Sequence, residues 1–391
     1  MYLSKKKLIL FQYLFAYIKC PVLKTKSNYL IQPATKVRLL IVVPTLECGG
    51  LERNVSTICN NLDTSKYDVT LAVLNNEYQF FQITNPDVKL IDMHIVHVRD
   101  SLFGILKLSR KIRPDIILST ANHLNLFLAI FKWLFPKRIK IIARESSIVS
   151  INTQRSWNPT LYHWLLRRFY KKIDLVICQS KYMQDDLVLN YNFKIDKTRI
   201  IYNAVITPEI KVDPHSPAAF TRLITVARLS KEKGLDRLIR AVSHLKTPYR
   251  FIIIGAGGLR NTLQELIDEL SLQQQIILAG SRDKPFVQVP DPDLFLMGSY
   301  YEGFPNAMLE AIAAGIPVVA FNAPGGIAEL VVNYENGILV EGNDENEFAE
   351  AIQKALDFEF DKKKIQEFAL KRFNVDAIMG EWDKLFESLN Q

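Results

Sequence analysis

Short, continuous apolar runs separated by helical stretches fill the chain from Val37 to about residue 179. The runs hold successive Val, Leu and Ile instead of alternating apolar and polar residues, which is typical of parallel strands covered on both faces. They predict strands over 38–44, 69–74, 116–119, 140–143 and 175–179, with helices over 52–61, 102–111 and 161–170. This rhythm predicts an α/β domain built on a parallel sheet.

The same rhythm starts again after residues 206–219, where three prolines and no periodicity predict an interdomain linker. Strands are predicted over 223–227, 251–254, 276–279, 294–297, 318–321 and 338–340, and helices over 235–245, 259–270, 306–314 and 345–357. An amphipathic stretch over 376–389 predicts a closing helix. The fold class predicted is therefore α/β, with two doubly wound, Rossmann-like domains facing each other across a cleft.

The predicted organisation has five parts, namely a segment 1–36, a first domain 37–205, the linker 206–219, a second domain 220–373 and the closing helix 374–391. A length of 391 residues suits two domains, and 48% hydrophobic with 23% charged residues excludes a disordered chain. The four cysteines are widely spaced and form no CxxC pair. Neither a zinc site nor a disulfide framework is predicted, and a reducing compartment is favoured.

Charge is divided unevenly between the two halves of the chain. Residues 1–219 hold 31 Lys and Arg against 16 Asp and Glu, whereas residues 220–391 hold 18 against 25. Such asymmetry indicates that the first half faces an anionic surface, either a nucleic acid or a membrane leaflet. No nucleic-acid reader motif is recognisable, so a nucleic-acid partner is not predicted.

The segment 1–36 begins with three lysines, Lys5 to Lys7, before an apolar run over 8–18. A run of eleven residues is too short to span a bilayer, which takes about 20 apolar residues. A cleaved signal peptide is disfavoured because Tyr17 and Lys19 stand where small residues are needed. Two interpretations remain, a helix lying in a membrane interface and a helix packed on the first domain.

Two glycine-containing loops follow predicted strands. Gly49 and Gly50 lie between a strand and a helix, where free backbone amides can approach an anion, although a tight turn would show the same pair. The stretch 255–260 partly matches a dinucleotide fingerprint but has Arg260 in place of the third glycine. This match is weak evidence for NAD.

Charged residues follow two strands of the second half. Arg228 and Lys233 come just after a strand, and a guanidinium with an ammonium suits a pyrophosphate, although a solvated loop of mixed charge is the alternative. Glu302 precedes a predicted helix and Glu310 lies about one turn inside it, so the amides over 303–307 would be free at the positive helix end. Two carboxylates beside such an anion site suit a polyhydroxylated ligand with phosphates, with helix capping as the alternative.

The stretch 301–319, with Glu302 and Glu310 eight residues apart, resembles the hallmark of retaining glycosyltransferases of family 4, which have the GT-B fold. The resemblance extends to the segment of Arg228 and Lys233, to 200–205, to 324–329 and to the Gly49–Gly50 loop. It covers about 37–391. In the first half it is looser, and there 119–122 and 143–146 are similar to members that assemble lipopolysaccharide core or capsular glycans.

By this resemblance, the catalytic group is expected to be Glu302, Arg228 and Lys233. The two cations would bind the donor diphosphate, Glu302 the sugar hydroxyls and Glu310 the nucleotide ribose. The remaining donor contacts expected are Gly49, Gly50, Arg282, Gly303, Phe304, Pro305 and Asn306, with Arg282 on the side of the nucleotide base.

The acceptor side is expected to include Asn122, His123, Arg144 and Glu145, where many members carry a histidine after a first-domain strand. The chain departs from its relatives at 289–292, because two prolines there exclude a regular helix. The pair Asp291 and Asp293 is similar to a metal-binding motif of another glycosyltransferase fold. Here, however, Asp293 is predicted to start a strand. Neither a metal nor a cofactor is expected.

The resemblance implies a retaining hexosyltransferase that moves a hexose or N-acetylhexosamine from a nucleotide-diphosphate sugar to a glycan or lipid-linked acceptor in cell-envelope polysaccharide synthesis. The basic, aromatic stretch 164–172 suggests peripheral docking on an anionic membrane at its cytoplasmic face, with a solvated basic helix as the alternative. Two other functions remain open, a sugar-nucleotide 2-epimerase and a non-catalytic sugar-nucleotide binding protein.

Overall fold

The computed structural model describes residues 36–209 and 220–389. The two interpretations of the segment 1–36 therefore fall almost wholly outside the described residues, and so do residues 210–219 of the predicted linker. The strands of the first sheet are β1 (Val37–Val43), β2 (Tyr67–Val73), β3 (Lys89–Asp92), β4 (Ile116–Thr120), β5 (Lys140–Arg144), β6 (Leu175–Cys178) and β7 (Thr198–Ile200). The helices of this half are α1 (Gly50–Asn61), α2 (Leu102–Ile112), α3 (Asn122–Phe131), α4 (Val149–Gln154), α5 (Pro159–Phe169) and α6 (Lys181–Tyr191).

The second half repeats the alternation of strand and helix. Its strands are β8 (Thr221–Val226), β9 (Tyr249–Ile254), β10 (Ile276–Gly280), β11 (Leu294–Met297), β12 (Val318–Phe321) and β13 (Gly337–Val340). Its helices are α7 (Leu235–Ser243), α8 (Arg260–Glu269), α9 (Asn306–Ala313), α10 (Ile327–Leu330), α11 (Glu345–Asp357), α12 (Lys362–Phe373) and α13 (Val375–Leu389). Short 3-10 turns lie at Val98–Asp100, Lys132–Leu134, Tyr170–Lys172, Ile195–Lys197, Lys231–Lys233 and Pro285–Gln288.

Both sheets are parallel throughout and doubly wound, as the sequence predicts. The first has the order β3-β2-β1-β4-β5-β6-β7 and the second β10-β9-β8-β11-β12-β13. Strand order reverses between β1 and β4 in the first sheet and between β8 and β11 in the second. Ligands of such folds bind beyond the carboxyl ends of the strands at these switch points.

The first sheet is covered on both faces. Leu40 and Ile41 are consecutive residues of β1 and are 0% and 1% exposed, yet they pack into two different apolar clusters. Because successive strand side chains point to opposite faces, the continuous apolar run buries both of them. Burial on both faces explains why apolar and polar residues do not alternate along these strands.

The last helix, α13, leaves the second domain and packs on the first. Trp382 and Phe386 are buried in the same cluster as Tyr67, and the rings of Tyr67 and Phe386 lie 5.6 Å apart. Lys66 adds exposed contacts to Asp383 and Glu387. The stretch predicted as an amphipathic helix thus forms a helix, Val375–Leu389, and it packs on the first domain.

Several elements were not predicted by the hydrophobic pattern. Helix α3 is apolar almost all round, so it lacks a one-sided period, and α6 buries the polar side chains of Gln184 and Asp186. The edge strands β3 and β7 are short and partly exposed. Tertiary packing decides these elements, since their local patterns are weak.

Candidate active site

Most of the residues predicted for the donor and acceptor sides follow four strands, and each of these strands lies at a switch point. Gly49 and Gly50 follow β1, His123 follows β4, Arg228 follows β8 and Glu302 follows β11. Adjacent parallel strands lie about 4.8 Å apart, so the loops after each pair are neighbours. The sheet topology thus places the residues of each domain at one edge.

The loop after β8 holds Lys233 beside Glu302. The Lys233 Nζ lies 2.7 Å from the Glu302 Oε1, and the two side chains are only 19% and 11% exposed. Gly234 ends this loop with a positive φ of 54°, and a Cβ there would lie 1.9 Å from the carbonyl oxygen of Gly298. Glycine therefore lets the loop pack directly against the end of β11.

Arg228 differs from Lys233 in that its side chain is 69% exposed. Its guanidinium lies 3.4 Å from Glu232, which also accepts a hydrogen bond from Ser230. An exposed guanidinium at the sheet edge remains available to an incoming anion. The site thus has two different cations, a nearly buried Lys233 held by Glu302 and an exposed Arg228.

Glu302 is fixed from several directions. Its carboxylate accepts hydrogen bonds from Ser299 Oγ and Lys233 Nζ, both at 2.7 Å. Its backbone N–H donates to the carbonyl oxygen of Pro324, and a Cβ on Gly325 would lie 1.5 Å from the Glu302 carbonyl oxygen. This contact requires a residue without a side chain at position 325.

Helix α9 begins directly after this loop with Pro305 as its N-cap residue, which provides no side-chain cap. The first backbone amides of α9 therefore lack intrahelical partners at the positive end of the helix dipole. Phe304 is 5% exposed and packs between Tyr202 and Phe373, which fixes the start of the helix. The start of α9 therefore has the geometry of an anion-binding site.

Glu310 lies one turn further along α9 and is 6% exposed. Its carboxylate forms an ion pair with Arg53, which belongs to the first turn of α1 in the other domain. Burial raises the pKa of Glu310, and the Arg53 guanidinium offsets part of this effect. The carboxylate therefore faces the cleft between the domains.

The glycine loop of the first domain touches α9. Asn306 Nδ2 donates to the carbonyl oxygen of Gly50 at 3.3 Å. Gly303 lies against Ser146 and Ser147, since a Cβ there would be 2.9 Å from the Ser146 carbonyl oxygen. Burial raises the pKa of Glu52 in the first turn of α1, and Arg228 across the cleft lowers it in part. The two predicted halves of the donor site thus meet.

Asn203 connects the domains and was not singled out as a site residue from the sequence. Its Nδ2 donates to Asn306 Oδ1 at 2.5 Å, and its own Oδ1 accepts from Arg144 Nη2 at 2.5 Å. The only sequence signal is its position within 200–205, one of the stretches that carry the family resemblance. A chain of side chains therefore runs from the first sheet to the start of α9.

Arg144 and Glu145, expected on the acceptor side, are both 1% exposed and lie out of an acceptor's reach in this structure. Burial lowers the pKa of Arg144 to about 10 and raises that of Glu145 to about 8. Glu145 accepts hydrogen bonds from Asn125 and Tyr170, inside the domain. The chain packed over the end of β5 buries both residues, and their polarity did not indicate this burial.

The other acceptor residues lie at the start of α3. Asn122 is 9% exposed, and His123 beside it is exposed. Desolvation by the surrounding chain lowers the pKa of the His123 imidazole. Ala121 precedes them with a φ of 95°, a conformation that turns the chain sharply at the end of β4.

Arg282 is exposed and hydrogen-bonds the carbonyl oxygen of Ser281 at 3.0 Å. It follows β10, which lies two strands from β8, so the sheet does not bring it into the cluster around Glu302. Nearby, Asp291 and Asp293 both face Arg222, at 3.3 and 3.7 Å. Asp293 immediately precedes β11, and no described group of three His, Cys, Asp or Glu residues is arranged to hold a metal ion.

Comparison with known families identifies both halves of the chain. Residues 48–208 match the family model described as glycosyltransferase family 4, and residues 207–372 match the one described as glycosyl transferases group 1. The chain belongs to the family 4 glycosyltransferases. The two matched regions meet at the linker, so each model covers most of one of the two domains.

Two relatives of this glycosyltransferase are named for transfer to a diphospho-undecaprenol-linked sugar and for colanic acid biosynthesis. It is 28% identical over 366 residues to N-acetylgalactosamine-N,N'-diacetylbacillosaminyl-diphospho-undecaprenol 4-alpha-N-acetylgalactosaminyltransferase of Campylobacter jejuni, covering 85% of this chain and 98% of the relative. It is 32% identical over 190 residues to the putative colanic acid biosynthesis glycosyltransferase WcaL of Escherichia coli K12, covering 44% of this chain and 47% of WcaL.

Solved structures show the same GT-B fold. A lipopolysaccharide outer core galactosyltransferase in its apo form has a TM-score of 0.70 at 15% identity, over 90% of this chain and 99% of the other. The Anabaena protein HepE, solved with UDP-glucose, has a TM-score of 0.71 at 21% identity, over 90% and 99% of the two chains. At such identities the likeness concerns the fold alone.

Proposed function

We propose that this glycosyltransferase transfers a hexose or N-acetylhexosamine, with retention, from a nucleotide-diphosphate sugar to a glycan or lipid-linked acceptor of the cell envelope. One observation carries this proposal. Lys233 and Glu302 are paired at 2.7 Å directly before the uncapped start of α9, which adds free amides to a held cation and a carboxylate. A diphosphate and a sugar together need this combination of groups.

The diphosphate is the leaving group in this mechanism. The bond between the sugar C1 and the phosphate oxygen breaks, and its electron pair leaves with the diphosphate. Lys233, the exposed Arg228 guanidinium and the amides of α9 stabilise the negative charge that develops there. Preorganised donors of this kind contribute the largest electrostatic share of catalysis in many enzymes.

The acceptor hydroxyl attacks C1 from the face that the leaving group vacates, and its proton passes to the departing phosphate oxygen. Glu302 receives the sugar hydroxyls and at the same time keeps Lys233 in place. Since Ser299 also donates to Glu302, the carboxylate has a fixed orientation before substrate arrives. Its assigned role is to orient the donor sugar.

The known relatives support the substrate classes. HepE was solved with UDP-glucose, which is a nucleotide-diphosphate sugar. The name of the Campylobacter jejuni relative places its acceptor on diphospho-undecaprenol, and that relative is covered over 98% of its length. We therefore assign a nucleotide sugar as donor and a lipid-linked glycan as the preferred acceptor class.

We assign the membrane-facing surface to α5 and the 3-10 turn after it. Trp164 is 55% exposed, and the cations Arg167, Arg168, Lys171 and Lys172 follow it in sequence. Phe169 lies under two of these cations, at 5.2 Å from Arg168 and 4.7 Å from Lys172. Aromatic and basic side chains together suit the headgroup region of an anionic leaflet, here proposed to be the cytoplasmic one. No described helix is long and apolar enough to cross a bilayer.

Vesicle flotation tests this surface. We expect the full chain to float with vesicles containing anionic lipid, and to lose most of its binding when residues 1–36 are deleted and the four cations become glutamine. The matched control replaces four exposed cations of the second domain, Lys363, Lys364, Lys371 and Arg372. Equal flotation of both variants and the wild type would refute the membrane surface.

Donor binding is tested by a thermal-shift screen of UDP-, GDP- and ADP-linked sugars. A ligand stabilises the native state by RT ln(1 + [L]/Kd), so one nucleotide class should raise the melting temperature well above the others. Glu310→Ala and Arg228→Ala should abolish that shift, whereas the exposed neighbour Lys231→Ala should retain it. Full shifts in both site variants would show that the site is misplaced.

Turnover separates transfer from the alternatives. A transferase releases nucleoside diphosphate in proportion to added acceptor, an epimerase releases it without acceptor, and a non-catalytic binder releases none. Acceptor-dependent release, with the anomeric configuration of the product followed by NMR, tests both transfer and retention.

A further inference from the structure

Arg53 connects the two domains at the proposed donor site. It lies in the first turn of α1, next to the Gly49–Gly50 loop, and its guanidinium pairs with Glu310 on α9. The two residues are 257 positions apart in the sequence. Arg53 therefore occupies the carboxylate that the proposed function assigns to the nucleotide ribose.

The environments of the two partners are unequal. The Glu310 side chain is 8% exposed, whereas the Arg53 side chain is 46% exposed. Within the described residues, Arg53 is the side chain that hydrogen-bonds this carboxylate. Glu310 thus depends on a partner that comes from the other domain and that retains access to solvent.

Loss of that partner is costly for a buried carboxylate. Removing one member of a buried ion pair is strongly unfavourable, because the remaining charge stays desolvated. Ribose hydroxyls donate two neutral hydrogen bonds, which are weaker than those of a guanidinium. An incoming nucleotide must therefore provide the displaced Arg53 with a new anion.

The diphosphate is placed to be that anion. Arg53 is attached three residues after Gly50, whose carbonyl oxygen accepts from Asn306 at the start of α9. The phosphates are proposed to bind at this helix end, so a short side-chain rotation moves the guanidinium from Glu310 towards them. Arginine binds phosphate oxygens in bidentate fashion.

We propose that Arg53 is a donor-site residue contributed by the first domain, which pairs with Glu310 when the site is empty and with the nucleotide diphosphate when it is occupied. This inference rests on the proposed function. Under this proposal, closure of the two domains depends on the phosphates and not on the nucleoside. A nucleoside alone breaks the ion pair between Arg53 and Glu310 but offers Arg53 no new anion.

The test compares the affinities of a nucleoside diphosphate and its nucleoside by calorimetry, using UDP with uridine, GDP with guanosine and ADP with adenosine. In Arg53→Met the nucleoside should bind at least as tightly as in the wild type, since its competitor is gone. The diphosphate should bind about tenfold more weakly, since a charge-assisted pair is lost. The preference for diphosphate over nucleoside should therefore fall at least tenfold.

Two further variants keep the result interpretable. Arg53→Lys keeps the charge without the bidentate geometry, so its preference should lie between those of the wild type and Arg53→Met. Arg110→Met removes an exposed arginine from α2 of the same domain and should leave both affinities unchanged. Circular dichroism checks that every variant is folded.

The outcomes distinguish the two proposals. If the wild type binds the diphosphate and Arg53→Met keeps the same preference within twofold, the role of Arg53 is refuted while the proposed function stands. If the wild type binds none of the three nucleoside diphosphates, the proposed function fails and the role of Arg53 fails with it.

Discussion

At the scale of residues, the candidate site is a set of charges held by partners instead of by water. Lys233 is held by Glu302, Glu310 by Arg53, and Arg144 by Asn203. Lys233 and Glu302 are therefore oriented before a ligand arrives, so this pair needs little reorganisation during the reaction, whereas Arg53 is proposed to exchange Glu310 for the diphosphate. The same burial makes each of them sensitive to removal of its partner.

Replacing Lys233 with methionine should lower kcat by about 10²–10³, because one fixed donor to the leaving diphosphate is lost. The neighbouring variant Lys231→Met, at an exposed position of the same loop, should keep kcat within about twofold of the wild type. Steady-state kinetics with the identified donor measures both. A Lys233→Met enzyme with normal kcat would remove this residue from the mechanism.

Glu145 should make stability depend on pH. Its pKa is raised by burial from 4.5 to about 8, so its contribution is fully present below pH 4.5 and is lost as the pH rises to about 8. Glu145→Gln keeps an acceptor oxygen for Asn125 and Tyr170 but cannot ionise. Relative to the wild type, it should gain stability between pH 5 and pH 8, by up to about 4 kcal/mol.

Urea unfolding at pH 5, 6.5 and 8 measures this gain. Glu77→Gln, at an exposed carboxylate of the same domain, is the control and should follow the wild type at each pH. A constant difference between Glu145→Gln and the wild type would mean that Glu145 is already ionised in the native protein.

At the scale of elements, the donor site depends on loops that pack tightly on one another. The loop before α9 is fixed by hydrogen bonds to the backbone around Gly325, and the loop before α7 contacts the end of β11 through Gly234. Both glycines have positive φ angles, of 121° and 54°. These loops therefore present Lys233 and Glu302 to each other with little freedom.

Gly325→Ala should disturb this arrangement, because the new Cβ would lie 1.5 Å from the Glu302 carbonyl oxygen at a φ of 121°. We expect loss of the donor-induced thermal shift and a fall of more than about 1 kcal/mol in the free energy of unfolding. Gly258→Ala is the matched control, since nothing lies within 4 Å of its added Cβ. Unchanged donor binding in Gly325→Ala would show that the loop tolerates displacement.

At the scale of the whole molecule, the two domains are tied together at several points besides the donor site. Glu329 of the second domain accepts hydrogen bonds from the backbone amides of Lys181, at 2.7 Å, and Tyr182, at 3.3 Å, at the start of α6. Helix α13 returns from the second domain and completes the apolar core of the first. We therefore expect the stability of the first domain to depend on the far end of the chain.

Trp382→Ala should lower the free energy of unfolding by about 3–5 kcal/mol, because a side chain 1% exposed leaves a cavity against the first domain. Lys384→Ala, two residues further along the same helix and exposed, should change it by less than about 0.5 kcal/mol. Denaturant unfolding followed by tryptophan-independent circular dichroism measures both. A small effect of Trp382→Ala would mean that α13 is dispensable for the first domain.

Local pattern alone determined the alternation of strands and helices, the doubly wound fold class and the stretches that carry Arg228, Lys233, Glu302 and Glu310. Apolar periodicity and strand-end glycines are properties of neighbouring residues, so they can be read without knowing the fold. The family resemblance rests on the same short stretches. The loops predicted for the donor follow strands in the sequence, and the structure places most of them at the switch points of the two sheets.

Only the tertiary structure decided which charges meet. The pairing of Arg53 with Glu310, the contact of Asn203 with Asn306 and the burial of Glu145 join residues 20 to 257 positions apart. No local pattern specifies such pairs, because they depend on how the two sheets pack and on which strand ends the packing covers. Burial and partner choice are properties of the packed molecule, and they set the charge and orientation of each group in the cleft.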